Sequence, residues 1–176
     1  MSELSQKKIA TITLRFENEL IDRLQNEAKN HQVSANTLAS QAIRRFLDWD
    51  IHQPRIGLVN LNKPVFVKIF GRLKKKDVEA MAKIAKDEIL DLALFMKGQI
   101  DVSSFISWFE MKMLNSSVQI SHMTHNGVHT FVMKHEIGRN WSLYNKIILE
   151  TIFKELFHKK IDVRYDKSMF VLKYTE

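Results

Sequence analysis

Residues 9–16, Ile9-Ala10-Thr11-Ile12-Thr13-Leu14-Arg15-Phe16, constrain the fold more than any other stretch of the chain. Ile12, Leu14 and Phe16 alternate with Thr11, Thr13 and Arg15, which is the period of a half-buried β-strand. No second strand pattern stands beside it before the next helical pattern begins. Its main-chain donors and acceptors therefore need a partner from elsewhere, and a second copy of the chain is the simplest one.

From Glu17 to about His31 the apolar residues Leu20, Ile21, Leu24 and Ala28 form a helical stripe, and Glu17 and Glu19 place acid in the first turn, where the helix dipole favours it. Asn30-His31-Gln32 interrupts the pattern. Ser34 then stands at an N-cap position before Leu38, Ala42, Ile43, Phe46 and Leu47, a second amphipathic helix.

This order within the first 50 residues resembles the ribbon-helix-helix family of DNA-binding proteins. Thr11-Ile-Thr-Leu-Arg-Phe-Glu-Asn-Glu-Leu-Ile-Asp-Arg-Leu24 is similar to that family's strand and first helix. Val33-Ser-Ala-Asn-Thr-Leu-Ala-Ser-Gln-Ala-Ile-Arg-Arg-Phe-Leu47 is similar to its turn and second helix. His31-Gln32 occupies the place where glycine is common, which asks a non-glycine residue for a left-handed conformation. The resemblance implies a homodimer whose paired strands enter the major groove of double-stranded DNA. Thr11, Thr13 and Arg15 would then read base edges. Lys7 and Lys8, with the helix start at Ser34, Ala35 and Asn36, would meet phosphates.

The whole chain has 176 residues, enough for one large or two small domains, with an apolar fraction of 45% that suffices for a core. It has no cysteine, so disulfide frameworks and cysteine-type zinc sites are excluded. The polar start Met1-Ser-Glu-Leu-Ser-Gln-Lys-Lys8 lacks a signal-peptide core and no apolar run reaches membrane-span length, so a cytoplasmic protein with no membrane partner is expected. The net charge of +7 suits a polyanionic partner, but residues 1–50 hold seven basic and seven acidic side chains. The excess lies beyond them. Lys74-Lys-Lys76 is one part of it, as a solvated helix start or as an addition to a DNA-facing field.

The expected organisation is a flexible arm over 1–8, a DNA-binding domain over 9–50, a linker over 51–64 rich in turn residues, and a second domain over 65–176. In that domain Val65-Phe-Val-Lys-Ile-Phe70 is expected as a strand, and 77–97 as a helix ended by Gly98. A further helix follows over 101–114. Asn126-Gly127 marks a hairpin over 118–135, with Ile120, His122, Thr124, His129, Phe131 and Met133 on one face. Asn140 is placed as the cap of a helix running to Phe157 with Leu143, Ile147, Ile148, Thr151 and Leu156 inward. A last hairpin turns about Asp166-Lys-Ser168. The fold class expected is α+β: a dimeric N-terminal strand-helix-helix unit followed by a domain with a mainly antiparallel sheet and three helices.

That second domain resembles no family, and a sensor or oligomerisation module is expected of it. No glycine-rich phosphate loop or nucleophile–base motif is present, so an enzyme, a cofactor and a catalytic residue are not expected. His122 and His129 fall on one hairpin face, two positions off direct register, close enough to approach one metal ion. Ordinary hydrogen-bonded histidines are the expected reading, with no metal. Trp108, Phe109, Met111 and Met113 are weighed as an effector pocket and assigned to core. The function expected is a DNA-binding transcriptional regulator, of repressor type, answering to an unspecified small-molecule or protein effector. The pairing of its dimers into tetramers is left open. The alternative is an antitoxin-like module whose C-terminal domain holds a protein partner.

Overall fold

The computed structural model describes residues 10–57, 59 and 61–175. The chain divides into two compact units, the first ending at Ile51 and the second beginning at His52. In the first, residues 10–17 form no strand, and regular structure begins with α1 (Asn18–Asn30) and α2 (Ala35–Asp48). The strand-helix-helix unit expected there is thus corrected to a helical pair preceded by an irregular segment, and the helices of the chain lie mostly before its strands. The reason is that a strand exists only as part of a ladder. A single chain offers residues 10–16 no neighbour, and among the described residues their main chain makes no hydrogen bond.

Helix α1 ends in a turn where Gln32 takes a left-handed conformation (φ 55°), as the missing glycine requires. The amides of Gln32 and Val33 donate there to the carbonyls of Lys29 and Ala28. Ser34 caps α2, its Oγ accepting from the Thr37 amide at 3.0 Å.

The second unit is α+β. It begins with a 3-10 turn, Asp50–His52, that straddles the boundary, and a short helix α3 (Gln53–Ile56), so the expected linker is partly helical. There follow α4 (Lys63–Arg72), α5 (Lys75–Lys97), α6 (Val102–Asn115), strands β1 (Gln119–His125) and β2 (Val128–Lys134), α7 (Arg139–Glu155), and strands β3 (Asp162–Tyr165) and β4 (Met169–Thr175). The expected strand at 65–70 is a helix. Pro64 lies in its first turn, and Phe66, Val67, Phe70 and Leu73 repeat at helical spacing against the core, while Val65 and Ile69 stay exposed.

Gly98 ends α5 with φ 72°, its amide on the Leu94 carbonyl at 2.8 Å, a conformation that suits glycine. Asp101 starts α6 in a reciprocal box with Ser104, which holds its carboxyl below the usual range. Asn126-Gly127 makes the two-residue turn expected between β1 and β2, both residues with positive φ. Asp166 shapes the β3–β4 turn by accepting the amides of Ser168 and Met169.

The four strands form one antiparallel sheet in the order β1-β2-β4-β3. Register aligns Ile120, Met133, Phe170 and Tyr165 in one row and His122, Phe131, Leu172 and Val163 in the next. This is the face on which the helices pack. Its Phe131, Met133, Phe170, Leu172 and Val163 are buried with Phe105, Phe109, Met113, Ile148, Leu149, Ile152 and Phe153 in one core. On α7 Leu143 and Ile148 are buried as expected, but the inward side is wider than the expected one and excludes Leu156. Trp141, Asn145, Leu149, Ile152 and Phe153 are buried and Leu156 is exposed, because a helix apolar on several sides leaves its inner face undetermined by period alone.

Candidate nucleic-acid interface

The first unit has little interior. Among its described residues Ala28 and Trp49 are buried, whereas Ile12 is 78% exposed and Leu14, Phe16, Leu20, Ile43, Phe46, Leu47 and Ile51 are each about half exposed. Helices of this length are marginal in water without a packed apolar face. The exposed side chains are the ones that the alternation and the two helical stripes would turn inward.

Thr11, Thr13 and Arg15 are exposed as well. The hydroxyls can donate or accept, and the guanidinium suits the O6 and N7 atoms of guanine. Arg15 makes no ion pair among the described residues, whereas Arg45 is paired with Asp50 at 3.7 Å. Lys7 and Lys8 lie outside the described residues. At the start of α2 the Ser34 hydroxyl is taken up by Thr37, and among the described residues the amides of Ala35 and Asn36 find no acceptor. No acidic residue occupies that first turn. Those two amides and the positive end of the helix dipole are the groups an anionic oxygen would meet.

In the second unit the structure brings His122 and His129 together. His122 Nε2 lies 3.0 Å from His129 Nδ1, and Thr124 Oγ1 is 3.4 Å from each of those nitrogens. His122 stacks on Phe131, centroids 3.9 Å apart, and His129 on Tyr174 at 4.9 Å. The imidazoles are thus rungs of an aromatic ladder across the sheet. Among the described residues no third ligand joins them in a metal-holding group. Trp108, Phe109 and Met113 are core residues and Met111 packs at its margin. Lys74, Lys75 and Lys76 are exposed at the start of α5, Lys75 facing Glu79 across one turn.

Lys112 is one group that sequence pattern does not mark. It sits 5.4 Å above the Trp108 ring, and burial alone lowers its pKa to about 8. It falls among apolar residues at a polar position of the α6 period, and that signal says nothing of how far the ammonium is covered.

No protein-family model matches this chain, and no curated protein matches it. No helix among the described residues is long and apolar enough to cross a membrane.

Proposed function

We propose that the chain is a sequence-specific DNA-binding transcriptional regulator that works as a homodimer, with its second unit serving effector sensing or further assembly. The observation that carries this reading is the exposed apolar set of the first unit: Ile12, Leu14, Phe16, Leu20, Ile43, Phe46, Leu47 and Ile51. A second copy covering them would leave Thr11, Thr13 and Arg15 on the opposite side of the same segment. The two segments, side by side, would present those side chains to base edges in the major groove. Ser34, Ala35 and Asn36 then receive a phosphate, with Lys7 and Lys8 adding charge near the backbone.

Selection of bound sequences from a random DNA library by the full chain tests this directly. A two-fold-related motif is expected, as a symmetric dimer requires. Arg15→Ala should relax preference at one position per half-site and cost about 1–3 kcal/mol, while Lys8→Ala should weaken all sequences alike and reduce the salt slope by about 1. Enrichment of no motif, or an Arg15→Ala chain with unchanged preference, overturns the reading.

A further inference from the structure

The sheet of the second unit has two edges, and they differ in how they are protected. Strand β3 has four residues, two of which are Asp162 and Arg164, so this edge is short and charged. Strand β1 has seven, Gln119-Ile-Ser-His-Met-Thr-His125, with no acidic residue, lysine, arginine or proline among them. Charge, proline, brevity and bulges are the means by which edge strands are kept from pairing with other strands. Strand β1 has none of them, and its register with β2 runs unbroken from Gln119 to His125. Residues 121–125 are all exposed, Met123 by 60%, and even His122 and Thr124, on the helix-bearing face, are not covered.

The turn sets which groups point outward. A two-residue loop at Asn126-Gly127 makes His125 and Val128 a hydrogen-bonded pair, so Ser121 and Met123 direct their amides and carbonyls to β2. Ile120, His122 and Thr124 direct theirs to the free edge. Among the described residues those groups have no backbone partner beyond the sheet.

We infer that this edge pairs antiparallel with β1 of a second copy, about a two-fold axis at His122. In that register His122 faces its own counterpart, and Ile120 faces Thr124 in both directions, so every outward amide and carbonyl of the strand is satisfied. Any other centre on an outward residue shortens the overlap. The strand suits itself chemically: Ser121 opposes Met123, Gln119 opposes His125, and no like charges meet despite the chain's net charge of +7. The result is a sheet continuous across two copies. This contact belongs to the second unit and does not rest on the DNA-binding reading, whose dimer uses the first.

The chain has no cysteine, so a single introduced thiol reports the contact without background. A hydrogen-bonded antiparallel pair sets Cα atoms about 5.5 Å apart, within disulfide reach. Under mild oxidation at micromolar concentration the full-length His122→Cys chain is expected to form a disulfide-linked dimer. Its rate should exceed that of Arg164→Cys, on the other edge, by at least about tenfold, since a paired strand holds its thiols at millimolar effective concentration. Adding Thr124→Pro, which removes an outward amide and no bond to β2, should abolish that advantage. Thr124→Lys provides the same test where proline disturbs the strand. Equal cross-linking at both edges, or a His122→Cys rate that neither Thr124 variant lowers, overturns the inference. A foreign strand on this edge would also give no self-cross-link, and so would count against it.

Discussion

His135 shows how far a histidine's role depends on where the fold puts it. Unlike His122 and His129 it is only 5% exposed, between Trp141 and Phe170. The Ile137 amide donates to its Nδ1 at 3.1 Å, so that nitrogen carries no proton, and the Nε2–H faces Ser142 Oγ at 2.7 Å. The ring is held as one neutral tautomer. Burial is the main cause that lowers its pKa below the ordinary value of 6.5, with Lys63 acting the same way and Asp166 opposing. The unfolded chain therefore takes up a proton near pH 6.5 that the folded chain refuses. Stability is lost as pH falls below 6.5 toward the lowered pKa of the folded state. Urea titrations between pH 7.5 and 5 should show stability falling with pH, and His135→Gln, which keeps a donor and an acceptor, should make that fall shallower. An unchanged slope would assign the acid sensitivity elsewhere. Residue type alone does not separate the histidines. What distinguishes them is a helix, α7, packed over one end of the sheet and absent from the other.

Among the elements, those announced by local chemistry were legible in advance. Asn126-Gly127, Gly98, Asp101 and Asp166 each perform the turn or cap their residue type suggests, and the register of the first hairpin is the expected one. The failures lie where tertiary partners decide. Val65-Phe-Val-Lys-Ile-Phe70 is apolar enough for either period, and becomes α4 because Phe66, Val67 and Phe70 meet the core on one side. Residues 10–16 have a strand's alternation and no strand, since pairing is not a local property. Asn140 stands where α7 starts, yet no side chain caps that helix. Its Nδ2 instead donates to the carbonyls of Phe70 and Leu73, both at 2.8 Å, at the end of α4. The two roles predict opposite outcomes. Asn140→Asp would be neutral or stabilising for an N-terminal residue of a helix. As a donor to two carbonyls it cannot be replaced by a carboxylate. We expect both Asn140→Ala and Asn140→Asp to lower stability by about 1–3 kcal/mol, with Asp at least as harmful near neutral pH. A stabilising Asn140→Asp in denaturant titration would return the residue to α7.

At the scale of the molecule, the two units differ in what holds them together. The second has a core of large buried side chains, Trp108, Phe131, Phe153 and Phe170 among them, and closes on itself. The first has its apolar side chains on the surface, and a helical pair in that condition has little to set against the entropy of ordering its chain. Covering these eight large, exposed side chains with a second copy contributes on the order of 1 kcal/mol for each. That is enough to decide whether the first unit is ordered. Its folding is then linked to association, and its melting temperature should rise with protein concentration. Phe46→Asp places a charge in the apolar set. Calorimetry of that chain should show the first unit's transition lost or lowered and the second unit's unchanged. On the proposed DNA-binding function, sequence-specific binding should disappear with it, because half-site recognition needs two copies in fixed relation. A Phe46→Asp chain that keeps both transitions and its DNA motif would mean that this apolar surface serves something other than a dimer.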